Sequence, residues 1–200
     1  MKKIHRFTLV ELLAVMAIIA ILSGIGFGAY TFANTRAKEA ATESLLKQIE
    51  AGLESFHTKN GYYPKSDSND FSEITFTVGS DNRVTAVDFG DAATKLTYSS
   101  TASTRKARLE NEMFEAFTKA LDLEVIRKHL NADNKLEDAW GVKIYYRSPG
   151  VFKSGGYDLI SAGPDGEFSE DNKDEPKGIT DSKKFREDDG TRLCDDIFNF

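Results

Sequence analysis

The sequence predicts an α+β protein, with a long N-terminal helix followed by a head built around a small antiparallel β-sheet. An apolar run extends from Phe7 to Phe32, and an amphipathic stretch continues it without a proline before Pro64. After that proline, apolar and polar residues alternate in short segments, which is the pattern of half-buried strands. A chain of 200 residues has room for one such helix and one globular domain.

The first half of the predicted helix, residues 7–33, is long and apolar enough to span a membrane, because a bilayer core of ~30 Å requires ~20 apolar residues. Glu11 interrupts this run. A carboxylate is costly in lipid and therefore indicates a function and a partner. The basic residues Lys2, Lys3 and Arg6 orient the N-terminus towards the cytoplasm, and the remainder of the chain then lies outside the inner membrane.

The second half, residues 34–60, is predicted to be the amphipathic continuation of the same helix. Its apolar residues recur at steps of three and four, and they are Ala37, Ala41, Leu45, Ile49, Leu53 and Phe56. Gly61 and Pro64 are helix-stop signals, so we expect the helix to end near Lys59. Glycines 24, 26 and 28 fit either close helix packing or a point of bending, and the sequence leaves both readings open.

The head is predicted to occupy residues 61–200. Two or three short strands are expected between Phe71 and Ser100, and a helix from Thr104 to Leu130 with an apolar face that includes Leu109 and Met113. Further strands are expected to follow Gly141 and to begin at Tyr157.

Composition narrows the classes of function. The net charge of −6 argues against a nucleic-acid partner and suits hard cations such as calcium. Cys194 is the only cysteine, so no intramolecular disulfide can form. The three histidines are scattered, and the chain has no nucleophile elbow, zinc spacing or phosphate-binding glycine loop. We therefore do not expect an enzyme.

The N-terminal sequence MKKIHR-FTLVELL resembles type IV pilins and type II secretion pseudopilins. The resemblance implies a leader peptide at residues 1–6, cleavage between Arg6 and Phe7 by a prepilin peptidase, and methylation of the new amine. It also implies that Glu11 compensates the N-terminal amine of the neighbouring subunit in a filament, since a buried charge is tolerated when it is paired. Arg6 stands where the family usually has glycine.

Four motifs in the rest of the chain resemble the major pseudopilin of type II secretion. They are Asn60–Pro64 (NGYYP), Asp138–Tyr146 (DAWGVKIYY, with alanine for the family's proline), Ser161–Gly166 (SAGPDG) and Asp196–Phe200 (DIFNF, with phenylalanine for tryptophan). The resemblance implies the pilin-like fold. Residues at about 65–135 fall outside these motifs, so that block is expected to be an insertion in the head.

The last part of the chain, residues 157–200, carries 13 acidic and 6 basic residues. Such a segment needs a partner to become ordered, and the resemblance places a calcium ion there. Asp165, Asp195 and Asp196 are the expected side-chain ligands, completed by backbone carbonyls near Ile160 and Ala162. Two alternatives remain open at this point: ligands from Asp171, Asn172 and Asp174, or a solvated acidic loop without metal. An EF-hand that starts at residue 165 is excluded, because its sixth and twelfth positions hold glutamate and proline.

The expected function is therefore that of a structural filament subunit in the type II secretion pseudopilin class. Its expected partners are further copies of itself, minor pseudopilins, the inner-membrane assembly platform and the prepilin peptidase. It would be located in the inner membrane with a periplasmic head, and then in a periplasmic or extracellular filament. A type IV pilin for adhesion, motility or DNA uptake is the first alternative. A membrane-tethered or secreted binding domain, released by an ordinary signal peptide that ends near Ala33 or kept by a plain signal anchor, is the second.

Overall fold

A computed structural model describes residues 8–168, 176–179 and 197–198, without the side chains of residues 23–27, 197 and 198. The chain divides into two compact units, Met1–Lys38 and Glu39–Phe200. The predicted α+β class is confirmed by the long N-terminal helix α1 (Leu9–Asn60) and by two small antiparallel sheets.

The part of α1 in the first unit exposes large apolar side chains along its length. Between Leu9 and Leu22 all the large apolar side chains are exposed, and so are Tyr30 and Phe32 further on. Arg36 lies over the ring of Phe32 at 5.5 Å from its centroid. Among the described residues, no helix reaches the combination of length and apolarity needed to cross a membrane. The predicted membrane span at residues 7–33 is thus not confirmed.

The part of α1 in the second unit carries the predicted apolar stripe into the core of the head. Four of the six stripe residues are buried there, namely Leu45, Ile49, Leu53 and Phe56, whereas Ala37 and Ala41 are exposed. The helix ends as predicted, because Gly61 adopts a left-handed φ of 78° and its N–H donates to the carbonyl of His57 at 2.7 Å.

In the part of the chain that the structure describes, seven short strands form two sheets. The four-stranded sheet has the order β1 (Ser72–Glu73), β5 (Ile144–Arg147), β6 (Asp158–Ser161) and β7 (Ile197–Phe198). The three-stranded sheet has the order β2 (Thr75–Val78), β3 (Val84–Asp88) and β4 (Leu96–Thr97). Every pairing is antiparallel.

The helix predicted from Thr104 to Leu130 is wrong as a single element, because the chain forms two helices, α2 (Arg105–Thr118) and α3 (Leu123–Lys128). The break has a local cause. The side chain of Asp122 accepts hydrogen bonds from the N–H groups of Glu124 and Val125 at 3.0 and 3.3 Å, which starts a new helix. Leu109, predicted on the apolar face, is 51% exposed.

Both faces of β5 and β6, the two inner strands of the four-stranded sheet, are buried, and neighbouring residues of these strands enter different clusters. Ile144 and Tyr146 belong to the main core together with α1, and Tyr145 belongs to a second cluster on the opposite face. The second cluster is completed by residues from before β1, from β6 and from the acidic C-terminal part of the chain, namely Phe71, Ile160, Ala162, Phe168 and Ile179. Phe168 and Ile179, which follow the SAGPDG motif in the acidic segment, are therefore among the apolar residues that cover the outer face of the sheet.

Gly52 marks the closest approach of α1 to α2. A Cβ added at Gly52 would lie 2.9 Å from the carbonyl oxygen of Phe117 and 3.0 Å from its ring. We expect Gly52→Ala to lower the free energy of unfolding by about 1–2 kcal/mol, because this overlap outweighs the gain in helix propensity. Urea titration of the detergent-solubilised protein, followed by the fluorescence of its single tryptophan, measures the change.

The adjacent exposed position provides the control for this prediction. Ala51→Gly should cost about 1 kcal/mol through propensity alone. If Gly52→Ala instead stabilised the protein, the close packing of α1 on α2 would be contradicted.

Candidate functional site

The predicted assembly residue, Glu11, lies in the first turn of α1 and forms a capping box with Thr8. The backbone N–H and the hydroxyl of Thr8 donate to Oε2 of Glu11 at 2.8 and 2.9 Å, and the N–H of Glu11 is 3.3 Å from the Thr8 hydroxyl oxygen. The carboxylate thus lies at the positive end of its own helix. The predicted processing residues Arg6 and Phe7 lie outside the described residues.

Asp138 organises the turn that precedes β5. Its Oδ1 accepts hydrogen bonds from the N–H groups of Trp140 at 2.8 Å and Val142 at 2.9 Å, and the left-handed φ of 84° at Gly141 closes the turn. The N–H of Ala139 donates to the hydroxyl of Thr42 in α1 at 3.1 Å. The turn is therefore fixed to the long helix as well as to the sheet.

The structure brings two of the sequence motifs into direct contact. The hydroxyl of Ser161, which opens the SAGPDG motif, donates to Oδ2 of Asp138 at 2.6 Å, and both side chains are buried. The Ser161 oxygen also lies 3.3 Å from the N–H of Gly163. One carboxylate therefore couples the turn before β5 to the start of the predicted calcium loop.

Of the three predicted calcium ligands, the structure describes Asp165 only. Its side chain is exposed, and Oδ1 accepts a hydrogen bond from the N–H of Glu167 at 2.9 Å. Asp195 and Asp196 lie outside the described residues. Within the part of the chain that the structure describes, no group of three or more acidic, histidine or cysteine side chains is placed to hold a metal ion. The calcium site stays a prediction.

A buried ion pair joins β5 to β6 in the same region. Nε and Nη2 of Arg147 donate to Oδ2 of Asp158 at 3.0 and 2.6 Å, and the two side chains are 1% and 0% exposed. The Asp158 carboxylate also accepts hydrogen bonds from three N–H groups in the loop between β5 and β6, which are those of Val151, Phe152 and Lys153. The pair is therefore hydrogen-bonded at both ends, as a buried pair must be.

Arg147 also reaches the acidic C-terminal part of the chain. Its Nη1 donates to the carbonyl of Ile179 at 2.7 Å, and its guanidinium lies over the ring of Phe71, 4.1 Å from the centroid. The sequence offered one sign of this pair, because each of two adjacent apolar strands carries one charge of opposite sign. The contact with Ile179 has no local signal, since 32 residues separate the two groups.

Burial also perturbs two tyrosines beside α1. It raises the pKa of Tyr146 and of Tyr157 far above the ordinary value for tyrosine. The Tyr146 hydroxyl donates to the carbonyl of Pro64 at 2.7 Å, just beyond the end of α1. Both phenols are neutral at physiological pH and serve packing.

These features define a class of protein. An N-terminal helix with an exposed apolar first half, whose second half forms the core of a head with small antiparallel sheets, is consistent with a pilin-like subunit. The family model described as "Type II secretion system (T2SS), protein G" matches residues 100–180 of this chain. The match confirms the resemblance to this family, whose members are the structural, non-enzymatic major pseudopilins, over about two-fifths of the chain.

The matched range includes α2, α3, the Asp138 turn, Arg147 and Asp165. It therefore overlaps the block of residues 65–135 that the sequence predicts to be an insertion, over residues 100–135. Neither a curated protein nor a solved structure matches the chain significantly.

The Asp138 network predicts a difference between two substitutions. Asp138→Ala should lower the free energy of unfolding by about 3 kcal/mol, because it leaves the part-buried N–H groups of Trp140 and Val142 and the buried hydroxyl of Ser161 without their acceptor. Asp138→Asn should cost only about 1 kcal/mol, since its carbonyl still accepts the two amides and the Ser161 hydroxyl can reverse to accept. Urea titration measures both values.

The exposed Asp133 provides the matched control, and Asp133→Ala should change stability by less than about 0.5 kcal/mol. Equal effects of Asp138→Ala and Asp138→Asn would contradict the network.

Proposed function

We propose that this protein is a structural subunit of a type II secretion pseudopilus. The observation that carries the proposal is the match of residues 100–180 to the protein G family. The N-terminal motif, which lies outside that match, supports it independently. A filament subunit needs no catalytic centre, so the proposal accounts for a chain whose recognisable motifs are all structural.

Assembly in this proposal depends on the N-terminal part of α1. The prepilin peptidase cleaves between Arg6 and Phe7, the helix is held in the inner membrane with the head in the periplasm, and subunits then pack their helices together in the filament. The exposed apolar side chains between Leu9 and Leu22 support this, because such a surface requires lipid or protein against it. Further copies of the chain, minor pseudopilins and the inner-membrane platform are the proposed partners.

Glu11 has two successive partners in this proposal. Thr8 of the same chain holds the carboxylate in the isolated subunit. In the filament, the N-terminal amine of the adjacent subunit adds the positive charge that makes burial among apolar helices tolerable.

We also propose that a calcium ion binds to the acidic C-terminal part through Asp165, Asp195 and Asp196. The donors are carboxylates, the ligands that calcium prefers. The pairing of β7 with β6 supports the proximity of Asp165 to Asp196, since Ile197 lies opposite Ser161. Asp196 is bonded to Ile197, and neighbouring Cα atoms are ~3.8 Å apart, while Asp165 follows Ser161 by four residues. The ion would neutralise charge and fix the end of the chain.

Processing gives the first test of the proposal. Intact-mass and N-terminal peptide analysis of the protein from its native host should find a chain that starts at Phe7 with one extra methyl group on its amine. A chain that starts near Asn34 would indicate an ordinary secreted protein and would overturn the filament proposal. An uncut chain would point either to a membrane-anchored domain or to an Arg6 that blocks the peptidase, and it would contradict the proposed cleavage.

The role of Glu11 gives the second test. Glu11→Ala should abolish filament assembly while the protein remains in the membrane fraction, because the amine of the neighbouring subunit loses its countercharge. Glu43→Ala, at an exposed glutamate further along α1, is the matched control and should assemble normally. Pilus shearing and immunoblotting measure both, and normal assembly of Glu11→Ala would rule out the proposed pairing.

Removal of metal gives the third test. A chelator should lower the melting temperature of the head, and added calcium should restore it, because an ion that binds only the folded state stabilises it. The triple variant of Asp165, Asp195 and Asp196 to asparagine should no longer respond. An unchanged melting curve, together with no bound metal by elemental analysis, would refute the calcium site.

A further inference from the structure

The acidic C-terminal part of the chain is attached to the rest of the head at Pro176–Ile179 by hydrogen bonds to Asp70 and Arg147 and by the burial of Ile179. The N–H of Gly178 lies 3.2 and 3.0 Å from the two carboxylate oxygens of Asp70. The carbonyl of Ile179 accepts from Arg147 at 2.7 Å, and the Ile179 side chain is 2% exposed in the second hydrophobic cluster. Both polar groups and apolar burial therefore hold this short segment.

Arg147 is itself held rigidly at the centre of these contacts. Two of its nitrogens are committed to Asp158, and its guanidinium lies over the rings of Phe71 and Phe152 at 4.1 and 4.7 Å from their centroids. The guanidinium is planar and its five N–H donors form a rigid fork, so the contacts of Nε and Nη2 also fix the position of Nη1 and the plane of its two N–H groups. Nη1 donates to the carbonyl of Ile179.

We propose that Arg147 is a positioning residue for the acidic C-terminal part of the chain, which it fixes at Pro176–Ile179 without any cation. Residues 167–194 separate the SAGPDG motif from Asp195. A fixed point within them divides one long loop into two shorter ones, which reduces the entropy lost when the ends are brought together. Arg147 thereby prepares the segment for calcium, and this second part rests on the calcium site proposed above.

Hydrogen–deuterium exchange of the detergent-solubilised full-length protein tests the anchor directly. In chelator, the amides of Gly178 and Ile179, which donate to Asp70 and to the carbonyl of Pro176, should exchange slowly in the wild type. They should exchange at least about tenfold faster in Arg147→Lys, because a single ammonium group can retain Asp158 but lacks the fork that reaches Ile179. The amides of β5 and β6 should remain protected in this variant.

Two further variants complete the experiment. Asp70→Ala removes the acceptor of the Gly178 N–H and leaves the Arg147–Asp158 pair in place. It should therefore also speed the exchange of the Gly178 and Ile179 amides, and it tests the anchor even where Arg147→Lys does not fold. Arg83→Lys makes the same exchange of side chains at an arginine that is 84% exposed, and it should behave as the wild type.

Calcium titration by calorimetry then tests the second part. Arg147→Lys should bind calcium about tenfold more weakly than the wild type, since the loop must be ordered on binding. Equal affinities would overturn this part.

The two proposals fail in different ways. Fast exchange of the Gly178 and Ile179 amides in wild type under chelator would overturn the cation-free anchor, and so would unchanged exchange in both Arg147→Lys and Asp70→Ala. A wild type that binds no calcium but keeps protection that depends on Arg147 would support the anchor and refute the calcium site.

Discussion

The head depends on one buried ion pair, Arg147 with Asp158, at the centre of its four-stranded sheet. Removing two charges from water costs several kcal/mol for each ion, and it is offset only when the remaining donors and acceptors are satisfied. Here the loop between β5 and β6, the residue before β1 and the segment at 176–179 all make contact with the pair. The chain has a single cysteine and can form no intramolecular disulfide. This network links distant parts of the sequence, which is the role that disulfides have in many secreted proteins.

The elements that the sequence predicts correctly are those with a local cause. The apolar stripe of α1 and its stop at Gly61 need only helical spacing and one left-handed residue. The helix predicted through residues 104–130 is wrong because residues between α2 and α3 continue an apolar spacing, while one carboxylate, Asp122, caps a new helix. The periodicity of apolar residues indicates which face of a helix is buried. It does not indicate where a side chain forms hydrogen bonds with backbone N–H groups and so ends one helix and starts another.

The residues of the candidate site likewise fall into those with a local signal in the sequence and those without one. Glu11 and Asp138 are recognisable because their motifs are contiguous, and the structure adds the partners Thr8 and Ser161. Arg147 and Asp158 meet only through the register of β5 on β6, which a linear pattern does not specify. The expected ligands Asp195 and Asp196 lie outside the described residues, so they rest on the sequence and on the pairing of the adjacent strand β7 with β6.

The short strands have a consequence for subunits held at high local concentration. A long, flat edge strand is a template on which another chain can add, and proteins limit this by keeping edge strands short or irregular. Here the described edges Ser72–Glu73, Ile197–Phe198 and Leu96–Thr97 are two residues long, and Thr75–Val78 carries an irregularity in its register. In the filament proposed above, heads with such edges would crowd together without fusing their sheets, and subunits would separate again when the contacts between their helices are released.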